Sequence, residues 1–211
     1  MGQYKKGILG GFTGKVGNVI GSTWRGINYM RSLSDRSNKK ASEKQLLQRA
    51  KFAFAMDFLH PLYPVVTIGY RNQNDRKLPI NAAMQQVITH VVEGEDPDLS
   101  INYSKLQIAK GSLETAKKES VSIEDDEITF DWQAITQDEE RYDNNYAIML
   151  GIGEGLYPSY SVREFRRSNN GGVLAVPDGP SGTKIHCYLA FYHEDNSGVN
   201  NSKYLGFVTI P

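Results

Sequence analysis

The sequence predicts an α+β fold in which a glycine-rich β-arm and two helices precede an antiparallel β-sandwich of the immunoglobulin or fibronectin type. Residues 7–31 contain seven glycines interleaved with apolar and aromatic residues. Residues 43–59 carry apolar residues at helical spacing, and from residue 99 onward short alternating runs are separated by turn residues. The predicted segments are 1–36 for the arm, 37–97 for the helical region and 98–211 for the sandwich.

The arm is predicted to be extended and to need a partner surface. Val16–Thr23 and Ile27–Arg31 alternate like two strands, with Trp24-Arg25-Gly26 near the turn. A lone hairpin is only marginally stable in water, so we expect the arm to pack on its own body or on a neighbouring subunit. The expected interface residues are Phe12, Val16, Val19, Trp24, Arg25, Tyr29 and Arg31.

Two helices are predicted after the arm. Ser42 and Gln45 form a capping-box pattern at the start of a helix over Glu43–Leu59. The apolar residues of this helix extend beyond one stripe, which predicts packing on two sides. Ile80–Val92 is predicted as the second helix, whereas Val65–Tyr70 fits either a strand or a helical turn.

The C-terminal half is predicted to be a sandwich of seven or eight strands with an aromatic core. Trp132 and the group Tyr188, Phe191 and Tyr192 are the expected core aromatics. The predicted strands are Ser100–Lys110, Ser120–Ile123, Glu127–Trp132, Tyr146–Gly153, Tyr160–Phe165, Gly172–Val176, Ile185–His193 and Lys203–Ile210.

Charge is divided unevenly along the chain, although the net charge is zero. Residues 1–51 contain 11 Lys/Arg and 2 Asp/Glu, a balance of +9, and residues 52–211 carry −9. Such halves can attract each other within a chain or between copies of it. Lys39, Lys40 and Lys44 can alternatively contact phosphate, which makes nucleic acid a second possible partner. Nucleic acid is less favoured than a protein partner.

No catalytic residue, cofactor site or metal site is predicted, and an enzyme is not expected. Gly10–Lys15 lacks the spacing of a phosphate-binding loop, and Gly151–Gly155 lacks that of a dinucleotide-binding turn. The carboxylates of Glu124–Glu127 fit a solvated turn, and the four histidines show no metal-binding spacing. Cys187, the only cysteine, is predicted to be a buried, inert thiol.

Targeting signals are not expected from this sequence. It has no apolar run near 18 residues and no signal-peptide pattern, so no membrane span is predicted. The expected location is therefore the cytoplasm or the interior of an assembly.

Residues 7–32, the Gln45…Gln48-Arg49…Lys51-Phe52 pattern and the closing strand that ends in YLGFVTIP resemble an uncharacterised family of Bacteroidota proteins of about 200 residues. That resemblance implies no activity. In layout, the Gly-Lys opening, hairpin and Gln/Arg helix also resemble short phage and prophage proteins, which implies a virion structural component.

The function expected from these features is structural self-assembly into a filament, tube or phage-like particle, with the arm pairing to neighbouring subunits. The expected partners are therefore copies of the chain or other structural subunits. Two alternatives stay open: a monomeric sandwich that binds a protein or glycan, and an accessory protein that binds nucleic acid through the basic quarter.

Overall fold

The structure is a computed structural model that describes residues 2–4, 11–34, 40–72, 78–124, 126–133, 145–195 and 197–211. The chain forms two compact units, Met1–Ser42 and Glu43–Pro211. Its fold class is α+β with antiparallel sheets, as predicted. The predicted arm boundary at residue 36 lies outside the described residues.

The first unit is a meander of four antiparallel strands in sequence order. Its strands are β1 Gln3–Tyr4, β2 Phe12–Val16, β3 Val19–Trp24 and β4 Ile27–Ser32. The predicted turn near Arg25-Gly26 joins β3 to β4. Neither β1 nor β2 was predicted from the sequence. Strand β2 was missed because Gly17-Asn18 forms a second two-residue turn inside a run that alternates like one strand.

The second unit begins with helices and ends with strands. Its helices are α1 Glu43–Leu59, α2 Tyr63–Gly69 and α3 Pro79–Gln86, and a π-helix over Val87–Val91 continues α3. Its strands are β5 Val92–Glu93, β6 Ser100–Ile101, β7 Lys117–Glu124, β8 Glu127–Gln133, β9 Asn145–Gly153, β10 Ser159–Ser161, β11 Gly171–Ala175, β12 Lys184–His193 and β13 Lys203–Thr209.

Seven of these strands build the sandwich. One sheet has the order β10-β9-β12-β13 and the other β11-β8-β7, while β5 and β6 form a separate two-stranded sheet. Counted along the sandwich, strands one, two and five share one sheet. This is the immunoglobulin arrangement, except that the fourth strand pairs with the third strand instead of the fifth.

The core between the two sheets combines aromatic and aliphatic side chains from both inner faces. Trp132 on β8 contacts Phe191 on β12 edge to face, with ring centroids 5.5 Å apart. Cys187 is fully buried in this core, as predicted, and burial raises the pKa of its thiol to about 12.

A second core lies on the outer face of β9 and β12, where the helices cover the sheet. Leu59, Val66 and Val87 from the helical segments belong to the same cluster as Ile148 and Tyr188 from the strands. Both central strands are therefore buried on two faces, which explains their nearly continuous apolar sequence. The helices and the sandwich belong to one compact unit.

Several local predictions are corrected or resolved. The predicted strand Tyr160–Phe165 is wrong beyond Ser161, where β10 ends. The predicted strand Ser100–Lys110 is wrong beyond Ile101, because the chain continues as a short 3₁₀ turn and an irregular segment. Val65–Tyr70, left open between strand and helix, falls within α2 except for its last residue. The prediction that α1 packs on two sides is also wrong, because only Ala55 and Leu59 of this helix are fully buried.

Among the described residues, no single helix has the length and apolar character to cross a membrane. Taken together, α1 and α2 have the length and composition of a membrane span, but nothing else supports one, and the two helices are bent by 92° relative to each other.

Candidate assembly interface

The β3–β4 turn determines which residues of the arm lie side by side. Arg25 and Gly26 both have positive φ, 49° and 79°, which is the backbone of a type I′ turn. This two-residue turn places Trp24 directly opposite Ile27 and fixes the register of the two strands. The guanidinium of Arg25 lies 5.4 Å from the centre of the Trp24 ring.

Register and strand alternation give the arm one face with aromatic and basic residues, which we call the aromatic face. Ile20 pairs with Lys15 on one side and Arg31 on the other, so both cations lie at the end away from the turn. The aromatic face comprises Lys15, Ile20, Trp24, Ile27, Tyr29 and Arg31. Trp24, Ile27 and Tyr29 are 53%, 64% and 45% exposed.

The opposite face of the arm carries Phe12, Val16, Val19 and Met30. Phe12 is half-buried because its ring lies against Gly21, where an added Cβ would be 2.7 Å from ring atoms. The structure therefore divides the seven predicted interface residues: Trp24, Tyr29 and Arg31 share the aromatic face, whereas Phe12 packs within the arm.

The outer strand of the meander presents a backbone edge. All six residues of β4 are exposed, and in the described part of the chain β4 pairs only with β3. The Leu33 N–H donates to the Asn18 carbonyl oxygen at 2.7 Å, so the N–H of every second residue from Ile27 faces β3. The backbone groups of Asn28, Met30 and Ser32 consequently point away from the sheet and can accept another strand.

Exposed apolar side chains are concentrated in the N-terminal part of the molecule. Of the 17 large hydrophobic side chains that are exposed in the described ranges, 11 lie within residues 16–56. Exposed apolar side chains that lie side by side, as Trp24, Ile27 and Tyr29 do on the aromatic face, mark an interaction surface more often than an ordinary monomer surface. The arm accounts for seven of them: Val16, Val19, Trp24, Ile27, Tyr29, Met30 and Leu33.

Helix α1 contributes the remaining four, although the sequence predicts that this helix packs on two sides. Residues 43–49 are all exposed, and the helix becomes buried only toward its C-terminal end. Spacing identifies an apolar stripe on a helix, but it cannot tell whether the protein itself or a partner covers that stripe. The exposed apolar residues of α1 are Leu46, Leu47, Phe52 and Met56.

The three lysines proposed as phosphate contacts have different surroundings. Lys44 lines a cavity of about 180 Å³ together with Glu95 and Asp96, and these carboxylates disfavour a phosphate there. Lys40 is exposed, and Lys39 lies outside the described residues. Within the part of the chain that is described, no group of three or more His, Cys, Asp or Glu side chains could hold a metal ion.

Comparison with known proteins gives a family but no activity. Residues 11–206 match the model of DUF6266, a family of unknown function. A crystal structure of the chicken interferon gamma receptor alpha chain aligns with 56% of this chain at 16% identity and a TM-score of 0.35. This chain spans 58% of the receptor chain, and no curated protein matches significantly. The fold assignment rests on strand order.

Proposed function

The chain belongs to the DUF6266 family of unknown function, and we propose that it is a non-catalytic structural protein whose copies assemble through the N-terminal arm. The observation that carries this proposal is the exposed edge of β4 beside the aromatic face. In the proposed contact, β4 adds to a sheet edge of a second copy through backbone hydrogen bonds. Trp24, Ile27 and Tyr29 then fill apolar depressions on that copy.

Charge supports a contact between the arm of one copy and the body of the next. Residues 1–42 contain eight Lys/Arg and one Asp, a balance of +7, and residues 43–211 contain 16 Lys/Arg and 23 Asp/Glu, a balance of −7. Pairing two arms would bring two positively charged units together, whereas arm-to-body pairing joins opposite charges. Such a heterologous contact produces a ring if it closes and a filament if it does not.

The resemblance in layout to short phage and prophage proteins, inferred from the sequence alone, makes a phage-like particle one proposed setting for this assembly. A filament or tube is another, because repeated arm-to-body contacts need no further component. Burial raises the pKa of Cys187 and keeps its thiol protonated near neutral pH. The proposal therefore gives Cys187 no role as a nucleophile.

The edge pairing is tested by comparing Met30→Pro with Met30→Ala. Proline removes the outward N–H of Met30, which an added strand would need, but leaves the β3–β4 hydrogen bonds in place. Alanine removes the same side chain and keeps the N–H. Light scattering over a concentration series is expected to show species heavier than the 23.6 kDa monomer for the wild type and Met30→Ala, and mainly monomer for Met30→Pro.

The aromatic face is tested in the same assay with Trp24→Ser/Tyr29→Ser. Val16→Ser/Val19→Ser is the matched control, because both are exposed apolar residues of the arm but lie on its opposite face. We expect the double variant to assemble at least tenfold more weakly, since each lost aromatic contact costs about 1 kcal/mol or more. A wild-type protein that stays monomeric at every concentration in low salt would contradict assembly and favour a monomeric binding module.

A further inference from the structure

An open groove in the second unit lies beside the π-helix, and no part of the proposed assembly uses it. It has a volume of about 460 Å³, within the usual range of sites for small molecules. One wall carries Gln86, the last residue of α3, and His90 from the π-helix. The lining also includes residues 104–107 of the irregular segment, and Ser202 and Tyr204 around the start of β13. Interruptions of an α-helix by π-helical geometry often occur at functional sites.

The irregular segment is held in place by side chains from three different elements. The hydroxyl of Tyr188 donates to the Tyr103 carbonyl at 2.6 Å, and that of Tyr70 donates to the Gln107 carbonyl at 2.8 Å. Gln86 Nε2 donates to the Lys105 carbonyl at 2.8 Å. Because Tyr70 and Tyr188 are buried, these bonds hold the irregular segment in one conformation. A preorganised lining of this kind lowers the entropy lost when a ligand binds.

Apart from Lys105 and His90, the polar side chains that line the groove belong to serine, glutamine and tyrosine, which can both donate and accept hydrogen bonds. Ser202 Oγ accepts from the Ile108 N–H at 3.0 Å, and Ser104 Oγ donates to Asn102 Oδ1 at 2.7 Å. Each hydroxyl therefore keeps hydrogen-bonding capacity for a ligand. Gln107 is half-buried, and its side-chain amide has no hydrogen bond to any described residue.

Formal charge in the groove is compensated within the protein. Lys105 Nζ lies 2.8 Å from Glu93 Oε1, so its charge is already paired. No Asp, Glu or Arg lines the groove among the described residues. An anionic ligand would have to compete with Glu93 for Lys105, and a cationic ligand would find no carboxylate in the lining. The lining therefore favours a neutral ligand.

Tyr204 supplies an aromatic side chain at the edge of the groove. Its hydroxyl is hydrogen-bonded to His186 Nδ1 at 2.7 Å, and His186 stacks on Tyr103 at 4.2 Å between ring centroids. Burial, with a smaller effect of Lys184, lowers the pKa of His186, so this support is neutral near pH 7. Tyr204 is thus held in a fixed orientation by neighbours that carry no charge.

We propose that this groove binds a neutral saccharide. Saccharide hydroxyls both donate and accept hydrogen bonds, which suits Ser104, Gln107 and Ser202, and the C–H face of a sugar ring packs on an aromatic ring such as that of Tyr204. The half-buried amide of Gln107 would recognise two adjacent hydroxyls. The site lies wholly within the second unit, so binding does not depend on the arm.

The test is calorimetric titration of the full chain with neutral gluco-, manno- and xylo-oligosaccharides, combined with amide chemical-shift mapping. At least one saccharide is expected to bind and to shift amides in residues 104–107 and 202–204. Gln107→Ala is expected to weaken binding about tenfold, the equivalent of one or two lost hydrogen bonds. Tyr204→Ala should weaken it further.

Tyr157→Ala, an exposed aromatic outside the groove, is the matched control and should bind like the wild type. Met30→Pro should also bind normally, which separates this site from assembly. Lack of binding to every neutral saccharide at millimolar concentration would overturn the proposal. Binding unaffected by both Gln107→Ala and Tyr204→Ala, or confined to acidic saccharides, would overturn it as well.

Discussion

Arg167 is a charged side chain that lies fully buried at one end of the sandwich core. Its Nη1 and Nη2 atoms donate to the carbonyls of Glu114 and Thr115 at 2.8 and 2.7 Å, and its guanidinium lies 4.9 Å from the centre of the Phe191 ring. Its own carbonyl accepts from Trp132 Nε1 at 2.7 Å. One residue therefore links the segment before β7 to the aromatic core.

Replacing Arg167 by methionine is expected to lower the free energy of unfolding by about 2–4 kcal/mol, because two carbonyls lose their donors in a buried site. The measurement is urea denaturation followed by Trp fluorescence. Arg49→Met is the control, since Arg49 is exposed on α1, and it should change stability by at most about 0.5 kcal/mol. Equal effects of the two substitutions would show that the buried contacts contribute little.

Glu119 and Lys203 form an ion pair that joins the first and last strands of the sandwich. Lys203 Nζ lies 2.6 Å from Glu119 Oε2, and the side chain of Glu119 is only 2% exposed. Burial alone would raise the pKa of Glu119, but hydrogen bonds from Lys203, its own backbone and Thr115 together lower it. The ionised carboxylate is therefore favoured in the folded protein.

A lowered folded-state pKa stabilises the protein above the unfolded pKa of glutamate, and this stability is lost as the pH falls through the folded pKa. Glu119→Gln is thus expected to lower the free energy of unfolding at neutral pH, with the difference shrinking in acid. Urea denaturation across a pH series measures this. Glu124→Gln, at an exposed residue of the same strand, is the control. A difference that grows in acid would contradict the assignment.

Residue types predicted the environment of Cys187 but not that of Arg167. A thiol in an alternating apolar strand is usually buried, and Cys187 is. Nothing in the local sequence distinguishes Arg167 from the neighbouring Arg166, because both are arginines in a polar connection. Burial of Arg167 arises from carbonyls more than 50 residues away in sequence, which local patterns cannot reveal.

The arm depends on a close approach between β2 and β3. A Cβ on Gly21 would collide with the carbonyl oxygen and ring of Phe12, and the backbone atom cannot move without disturbing β2. Gly21→Ala is therefore expected to abolish amide-exchange protection in β2 to β4 while the protection of β8, β9 and β12 is unchanged. Ser22→Ala, on the neighbouring residue, should preserve the arm. Wild-type protection in Gly21→Ala would mean that the strands do not pack this closely.

At the element scale, prediction succeeded where local pattern and tertiary packing agree. Strands β7 to β9 and β11 to β13 were predicted within a few residues, because alternation is bounded by turn residues. Helix α1 was predicted with its observed ends, Glu43 and Leu59. The segment 102–107 was wrongly predicted as strand, because its conformation is imposed by the distant hydroxyls of Tyr70 and Tyr188, which local patterns do not show.

The candidate interface was only partly predictable for a related reason. Composition identified residues 7–31 as an arm, and three of the predicted interface residues, Trp24, Tyr29 and Arg31, lie on a shared face. Ile27 and Met30 were not among the predicted residues, although they lie in the same strand and are 64% and 71% exposed. Which face of a strand is covered depends on register, and register depends on turns that single-residue patterns resolve poorly.

At the scale of the whole molecule, the two units differ in how they reach stability. The second unit has two cores that share β9 and β12, so its helices and sheets are expected to unfold together. The first unit has little buried surface: Gly21 is its only fully buried residue among those described. A small sheet of this kind gains most from contact with a partner.

Deletion of residues 1–42 tests this division. The remaining chain retains both cores, so we expect it to unfold in one transition with a melting temperature close to that of the full chain, yet to be monomeric by light scattering. Deletion of residues 1–59 is the control, because it removes Ala55 and Leu59, which are fully buried against the sheet. That longer deletion should be strongly destabilised, since each lost buried leucine costs about 2–5 kcal/mol. If the shorter deletion assembled as the full chain does, the contact would have to lie in the second unit, where the exposed apolar residues of α1 are one candidate surface.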